Sequence, residues 1–163
     1  MAAQGNHRTL YLKMLFRVYS EAFLSAAFMS AEGLKYSIAK IEYWEGGALV
    51  SEKEAGRATF DDIVMQRGAS QDPDFYTWVQ LVIDIVSALP GGKGAVSPQY
   101  KRDLTIRQLE RDLTPVTDYP VKSCFPVEWT PGDFNNDADE VTMNSLTLCQ
   151  KYFTQKMLGP ATP

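Results

Sequence analysis

Catalysis in a small chain needs a nucleophile, a base or a metal, and the residues that supply them are scarce here. The single histidine, His7, sits in a short polar stretch at the N-terminus. A Ser-His-Asp or Cys-His arrangement would have to recruit that residue from a loose arm. Cys124 and Cys149 are the only thiols, each in a strand-like apolar context and without a C-x-x-C spacing. Two buried, reduced thiols are expected, with a disulfide as the alternative, and a thiolate or imidazole metal site lacks ligands. Asp61 and Asp62 are adjacent, and neighbours on a strand point to opposite faces, so they cannot easily share a proton. The acidic stretch Asp133 to Glu140 superficially resembles a calcium loop. It lacks the glycine and the terminal glutamate such a loop uses, so a solvated turn is expected. Gly91-Gly92-Lys93-Gly94 follows a helix and precedes a strand, the reverse of a phosphate-binding loop. Trp44, Trp78 and Trp129 have no interleaved basic residues, which favours packing over base stacking. No catalytic residue, cofactor or metal is expected.

Composition sets the same bounds. The chain has 163 residues, 45% of them apolar and 22% charged, with a formal net charge of -4. That is enough for one domain with a real core, spanning 1–163, with a flexible arm over 1–9 and a mobile tail over 154–163. The acidic balance argues against a dedicated nucleic-acid binder. Apolar runs fall short of the ~20 residues of a membrane span, so no membrane insertion by the subunit is expected. No signal peptide is visible, which points to synthesis in the cytoplasm.

The elements that would position any site are mostly strands. Leu12, Met14, Phe16 and Val18 alternate with Lys13, Leu15, Arg17 and Tyr19, the pattern of a half-buried strand. Glu21 to Ala27 is ambiguous and could be a helical turn. Phe28 to Ala31 and Tyr36 to Trp44 read as strands around a bend at Glu32-Gly33. Ser51 to Gly56 reads as a charged, exposed connection, and Thr59 to Arg67 as a strand with apolar groups on both faces. One helix starts at Asp72-Pro73, a good cap and first position, and stops at Pro90-Gly91-Gly92. Leu81 and Ile85 fall outside its main apolar stripe, so either the helix is tucked deep or a neighbouring subunit covers its second side. Lys101 to Leu109 alternates again. Tyr119, Val121 and Phe125 share one face of a further strand, where Pro120 marks an edge or an irregular position. The final strand, Glu140 to Gln150, changes phase, which either a bulge near Asn144-Ser145 or burial of both faces by subunit contact would reconcile. The expected fold is mainly β: an antiparallel β-sandwich or barrel of six or seven strands with one principal α-helix at its side.

Four ordered segments resemble the tail-tube protein family of contractile phages and related injection machines. They are Phe28 to Leu34; Ile41-Glu-Tyr-Trp-Glu-Gly-Gly47; Ile63 to Gly68 followed by the helix bearing Trp78; and the last strands, Leu104 to Leu109, Val127-Glu-Trp129 and Glu140 to Leu148. The resemblance covers roughly Leu12 to Lys151. It departs from the family in carrying Glu54-Ala-Gly56 where a Pro-Gly is usual, in a longer Pro90 to Tyr100 loop and in an extra tail.

The resemblance implies a hexamer whose subunits share a β-barrel ring around a channel, with rings stacking into a tube. Such a protein is a structural subunit of an inner tail tube, in a virion tail or an assembled injection particle, made in the bacterial host cytoplasm. Its partners would be itself, sheath and baseplate proteins, and DNA or protein cargo passing without sequence-specific binding. Stacking and inter-subunit contacts are expected from Glu45, Gly46, Gly47, Ala48, Leu49 and Val50, and from Ser51, Glu52, Lys53, Glu54 and Arg57, together with Leu81 and Ile85. The polar residues opposite Leu104 and Ile106, namely Asp103, Thr105 and Arg107, are candidates for the channel wall. A tube-initiator ring at the baseplate is the near alternative. A monomeric ligand-binding β-barrel is the alternative of another class, and a small enzyme ranks third.

Overall fold

A computed structural model describes residues 15–20, 23–26, 28–47, 49–69, 73–86, 100–132, 134 and 140–158. The element order is β1 (Phe16–Ser20), β2 (Phe23–Ala26), β3 (Ser30–Glu32), β4 (Tyr36–Tyr43), β5 (Glu52–Phe60), β6 (Ile63–Gly68), α1 (Pro73–Val86), β7 (Arg102–Leu109), β8 (Pro115–Thr130), β9 (Met143–Cys149), β10 (Tyr152–Phe153) and β11 (Lys156–Met157). All pairings are antiparallel. One sheet runs in the order β2-β1-β7-β8-β9-β6-β3, with β10 and β11 also on β8, and β4-β5 form a separate hairpin. The mainly β architecture with one helix agrees with the sequence reading. The ambiguous segment before Phe28 holds a strand, not a helical turn.

The 16-residue strand β8 joins two layers. Its first half pairs with β7 on one edge and with β10 and β11 on the other, and its second half pairs with β9. Val18, Leu104, Ile106 and Val121 from the first layer meet Ile63, Met65, Leu146 and Leu148 from the second in one buried cluster, which also takes in Trp78 and Val79 of the helix. Alternation explains the membership: residues two apart on each strand share the inner face. The indole Nε1 of Trp78 donates to the Tyr100 carbonyl at 2.8 Å, so the largest core side chain leaves no orphan donor.

Between the two halves of β8 the register slips, and Ser123 takes φ of 53°. This bulge changes the phase of the strand. Cys124, not Phe125, therefore enters the core beyond Val121. Pro120 lies inside this central strand, at an irregular position and not at an edge. Its carbonyl accepts from Thr154 N at 3.1 Å. Its missing donor thus faces the interruption between β10 and β11, where no ladder bond is lost. The phase change expected at Asn144-Ser145 is also elsewhere. Both residues pair regularly with β6, the slip lies on β8 between Pro126 and Glu128, and Val141 precedes the strand and is exposed. The C-terminal segment is paired as far as β11, with Leu158 N donating to Val116 O at 2.8 Å. The arm over 1–9 and residues 159–163 lie outside the described residues.

Candidate assembly surface

The hairpin of β4 and β5 stands apart from the body. All eight residues of β4 are exposed, and so is most of β5. The segment expected to be a charged connection is the return strand itself, and it ends at Phe60. Asp61 and Asp62 then break the chain before β6, so the single strand expected over Thr59 to Arg67 is two. The two carboxylates belong to this break, where the reasoning about strand faces does not apply.

The break is firmly tied. Asp61 N donates to Lys35 O at 3.0 Å, Gln150 Nε2 donates to Asp61 O at 2.7 Å, and the Lys35 ammonium lies 3.2 Å from the Asp61 carboxylate. Gly33, at φ 94°, packs so close that a Cβ there would sit 2.1 Å from the Asp62 carbonyl oxygen. Tyr36, Phe60 and Phe153 stack edge-on or tilted, with ring centroids 5.8 to 6.0 Å apart, and lock the hairpin's root to β10. Beyond this root nothing among the described residues covers the hairpin.

Register separates its two faces. Ile38 opposes Ala58, and Ile41 opposes Glu54, with a slip between them that places the extra residue in β5. Ile38 therefore lies on one face with Tyr36, and Ile41 on the other with Tyr43. Ile38 is 54% exposed, Ile41 51% and Trp44 65%. At the tip Leu49 and Val50 are more exposed still. Gly46 and Gly47 make the turn, Gly47 at φ 89°, a conformation that glycine adopts without strain. Glu45, Ser51, Glu52, Lys53, Glu54 and Arg57 surround these apolar groups, while Ala48 lies outside the described residues. An isolated hairpin with apolar groups bare on both faces is unfavourable in water, which makes it a candidate surface for another chain.

Other expected residues fall elsewhere. Leu81 is half-buried on α1, and the Ile85 side chain lies outside the described residues. Beside the helix, Val82 and Ile83 with Phe125, Pro126 and Trp129 line an apolar groove of about 460 Å³. A second cleft, of about 500 Å³, opens between the layers beside Phe16, Met29, Leu34 and Tyr119. The outer edges of β2 and β3 carry no strand among the described residues.

Asp103, Thr105 and Arg107 share the outer face of the first layer, as their alternation with Leu104 and Ile106 requires. Two of them are structurally engaged. The Arg107 guanidinium donates from Nε and Nη2 to both Asp118 oxygens, at 2.7 and 2.8 Å. That hydrogen-bonded pairing raises the Arg107 pKa above its ordinary value. Asp103 accepts from Lys122 Nζ at 2.6 Å and from Ser123 N at 2.9 Å, and so clamps the β8 bulge. The bond from Lys122, then that from Ser123, holds its pKa below the usual carboxylate range. These partners lie on β8, 11 to 20 residues away, and no local sequence signal marks them.

The two cysteines differ in burial. Burial pushes the Cys124 thiol up to about 12, far from a reactive thiolate. Cys149 is half-buried and not fully buried as expected, and both cysteines are free. Among the described residues no group of three or more His, Cys, Asp or Glu side chains could hold a metal, and no helix is long and apolar enough to cross a membrane.

Comparison with known proteins matches this picture. The model of the family described as T4-like virus tail tube protein gp19 matches residues 12–154. A chain of the PVC sheath-tube complex of an extracellular contractile injection system, in its extended state, superposes with a TM-score of 0.74 at 19% identity, covering 93% of this chain and 95% of that one. A chain of the anti-feeding prophage tube terminating cap gives 0.76 at 20% identity, covering 96% and 99%. A chain of the 6-fold symmetrised anti-feeding prophage baseplate gives 0.73 at 18% identity, covering 94% and 99%. At these identities the superpositions establish the fold. Compared with curated protein sequences, the chain matches none.

Proposed function

The chain belongs to the T4-like virus tail tube protein family, and from that premise we propose that it is a subunit of the inner tube of a contractile tail or phage-like injection system. The single observation that carries the reading is the β4-β5 hairpin, apolar on both faces and bare beyond its root. Such a surface marks a site for docking, and the partner in this reading is another copy of the chain. A heterologous contact of this kind closes into a ring when its rotation closes, and stacked rings with a twist make an open tube. Six copies per ring is the closure in keeping with the 6-fold symmetrised relative.

In this reading the protein does no chemistry. It forms a conduit, enclosed by sheath protein and joined to baseplate proteins, through which DNA or protein cargo passes. Glu45 to Glu54, together with Arg57 nearer the root of the hairpin, form the contact with the next ring. Leu81 and Ile85 on α1 contribute to contacts between subunits. A tube-initiator ring differs from this only in meeting a different partner on one face.

Sedimentation over a concentration series tests the proposal. Wild-type protein populates a ring-sized species that grows with concentration. A variant with residues 39–56 replaced by a short Gly-Ser turn stays monomeric and folded by circular dichroism. Ring formation by that variant would refute the role of the hairpin.

A further inference from the structure

The first half of β8 carries a thin cover on its outer edge. β10 and β11 are two residues each, and Thr154 and Gln155 between them are exposed. Pro120 interrupts the ladder opposite that gap. Side chains hold little of the cover. Met157 is 76% exposed, Lys156 is exposed, and past Phe153 only Leu158 is half-buried. The two ends differ. Phe153 is fixed in the aromatic root of the hairpin, whereas β11 rests on backbone bonds, among them Leu158 N to Val116 O at 2.8 Å. The strand beneath is the opposite case. Thr117, Asp118 and Val121 are buried, and the other edge of β8 pairs with β7. β8 therefore keeps its shape whether or not β11 lies on it.

We propose that residues 155–158 are an autoinhibitory strap: in the free subunit they occupy the β8 edge, at Val116 to Asp118, that an edge strand of a second copy takes in the assembly. This rests on the tube reading above and adds a control on when assembly starts. A core-anchored edge without cover is a template for pairing, and a short, interrupted cover that bears a lysine blunts it. The exposed Thr154-Gln155 pair lets β11 swing away while Phe153 stays in place. The replacement is at hand in β2, the bare opposite edge of the same layer among the described residues. The strands β2, β1, β7 and β8 alternate in direction, so β2 of a copy held in the same orientation runs antiparallel to β8, as β11 does. Its four residues are enough to take over the stretch that β11 covers. β11 also lies past the last residue matched by the family model, so the strap is added to the shared fold.

Two full-chain variants test the strap, one freeing it and one fixing it. Because Leu158 N bonds to Val116 O, the register makes Lys156 and Asp118 a hydrogen-bonded pair as well, and leaves Met157 and Thr117 as the closer, non-hydrogen-bonded pair between them. Lys156→Pro with Leu158→Pro removes both donors and releases β11. Thr117→Cys with Met157→Cys, in a Cys149→Ser background, closes a disulfide at that pair and fixes β11. Sedimentation velocity reads the midpoint concentration of assembly, and electron microscopy reads its form. The proline variant should form rings at a midpoint on the order of tenfold lower, because its contacts no longer give up the strap's bonds. The disulfide variant should assemble only after reduction. Equal assembly of its oxidised and reduced forms would overturn the strap and leave the tube reading intact. So would an unchanged or raised midpoint, or amorphous aggregate in place of rings, from a proline variant that is folded by circular dichroism. If the proline variant does not fold, the oxidised and reduced forms decide alone. Failure of every form, the unsubstituted protein included, to associate would overturn both.

Discussion

Ile38→Ser and Ile41→Ser should dissociate the assembly while leaving the subunit folded. The two residues lie on opposite faces of the β4-β5 hairpin, and about half of each is exposed, 54% and 51%. Full burial of such a side chain contributes about 1.5–3 kcal/mol. Covering the exposed half in an interface therefore contributes about 1 kcal/mol per residue, and the pair about 2 kcal/mol per contact. At 1.4 kcal/mol per tenfold change, the double variant associates roughly 30-fold more weakly at each contact. In a closed ring the loss recurs at every interface, so the midpoint concentration of assembly rises by a larger factor. Within the subunit neither side chain supports the core, and the stability change should stay within about 0.5 kcal/mol. Sedimentation velocity reads the association, and thermal melting of the isolated subunit reads the fold. The single variants separate the faces: if only Ile38→Ser weakens assembly, the partner covers that face alone. A lowered melting temperature with unchanged association would refute the reasoning, because it would mean that the hairpin serves its own subunit.

Three further outcomes follow from the packing of the body. Arg107→Met leaves the mostly buried Asp118 carboxylate without its bidentate donor and should cost about 2 kcal/mol in urea denaturation; an Arg107→Met, Asp118→Leu double variant should recover part of it. Asp103 has a folded-state pKa below its unfolded value, so its contribution is present above the unfolded pKa, near 4, and is lost as pH falls through the lower folded value. Asp103→Asn should flatten the acid limb of the stability profile below about pH 4 and leave the neutral-to-alkaline limb parallel to wild type. Gly33→Ala meets the Asp62 carbonyl at 2.1 Å and should destabilise by more than about 2 kcal/mol, whereas Gly47→Ala, with open space around it and only its φ to strain, should cost about 1 kcal/mol; chemical denaturation of the two variants distinguishes them.

The parts of the fold that pack on the core were legible in the sequence, and the parts that do not were obscured for a physical reason. Val18, Leu104 and Ile106 alternate with polar residues because one face of each strand is buried, and Pro73 with the apolar stripe of Trp78 and Val79 marks a helix whose inner side closes the sandwich. The return strand Glu52–Phe60 shows no such alternation. Neither of its faces meets its own core, so charge and Gly56 are tolerated on both, and it reads as a loop. The break at Asp61-Asp62 is hidden for a related reason. Phe60 belongs to the aromatic root of the hairpin and Ile63 to the core, yet in sequence they form one apolar run. Pro120 leaves edge and irregularity open in the sequence because the choice depends on an interruption between β10 and β11 that lies over 30 residues away. The turn at Gly46 and Gly47 was visible between apolar segments. The engagement of Asp103 and Arg107 was not, because Lys122, Ser123 and Asp118 reach them only once β7 and β8 are in register.

Electron microscopy of the purified protein across a concentration series tests the central claim most directly. The account predicts hollow sixfold rings that stack into tubes as concentration rises, with hairpin density reaching from each subunit into a neighbouring copy. A protein that stays monomeric at the highest concentration, with the hairpin folded back over its own body, would contradict it.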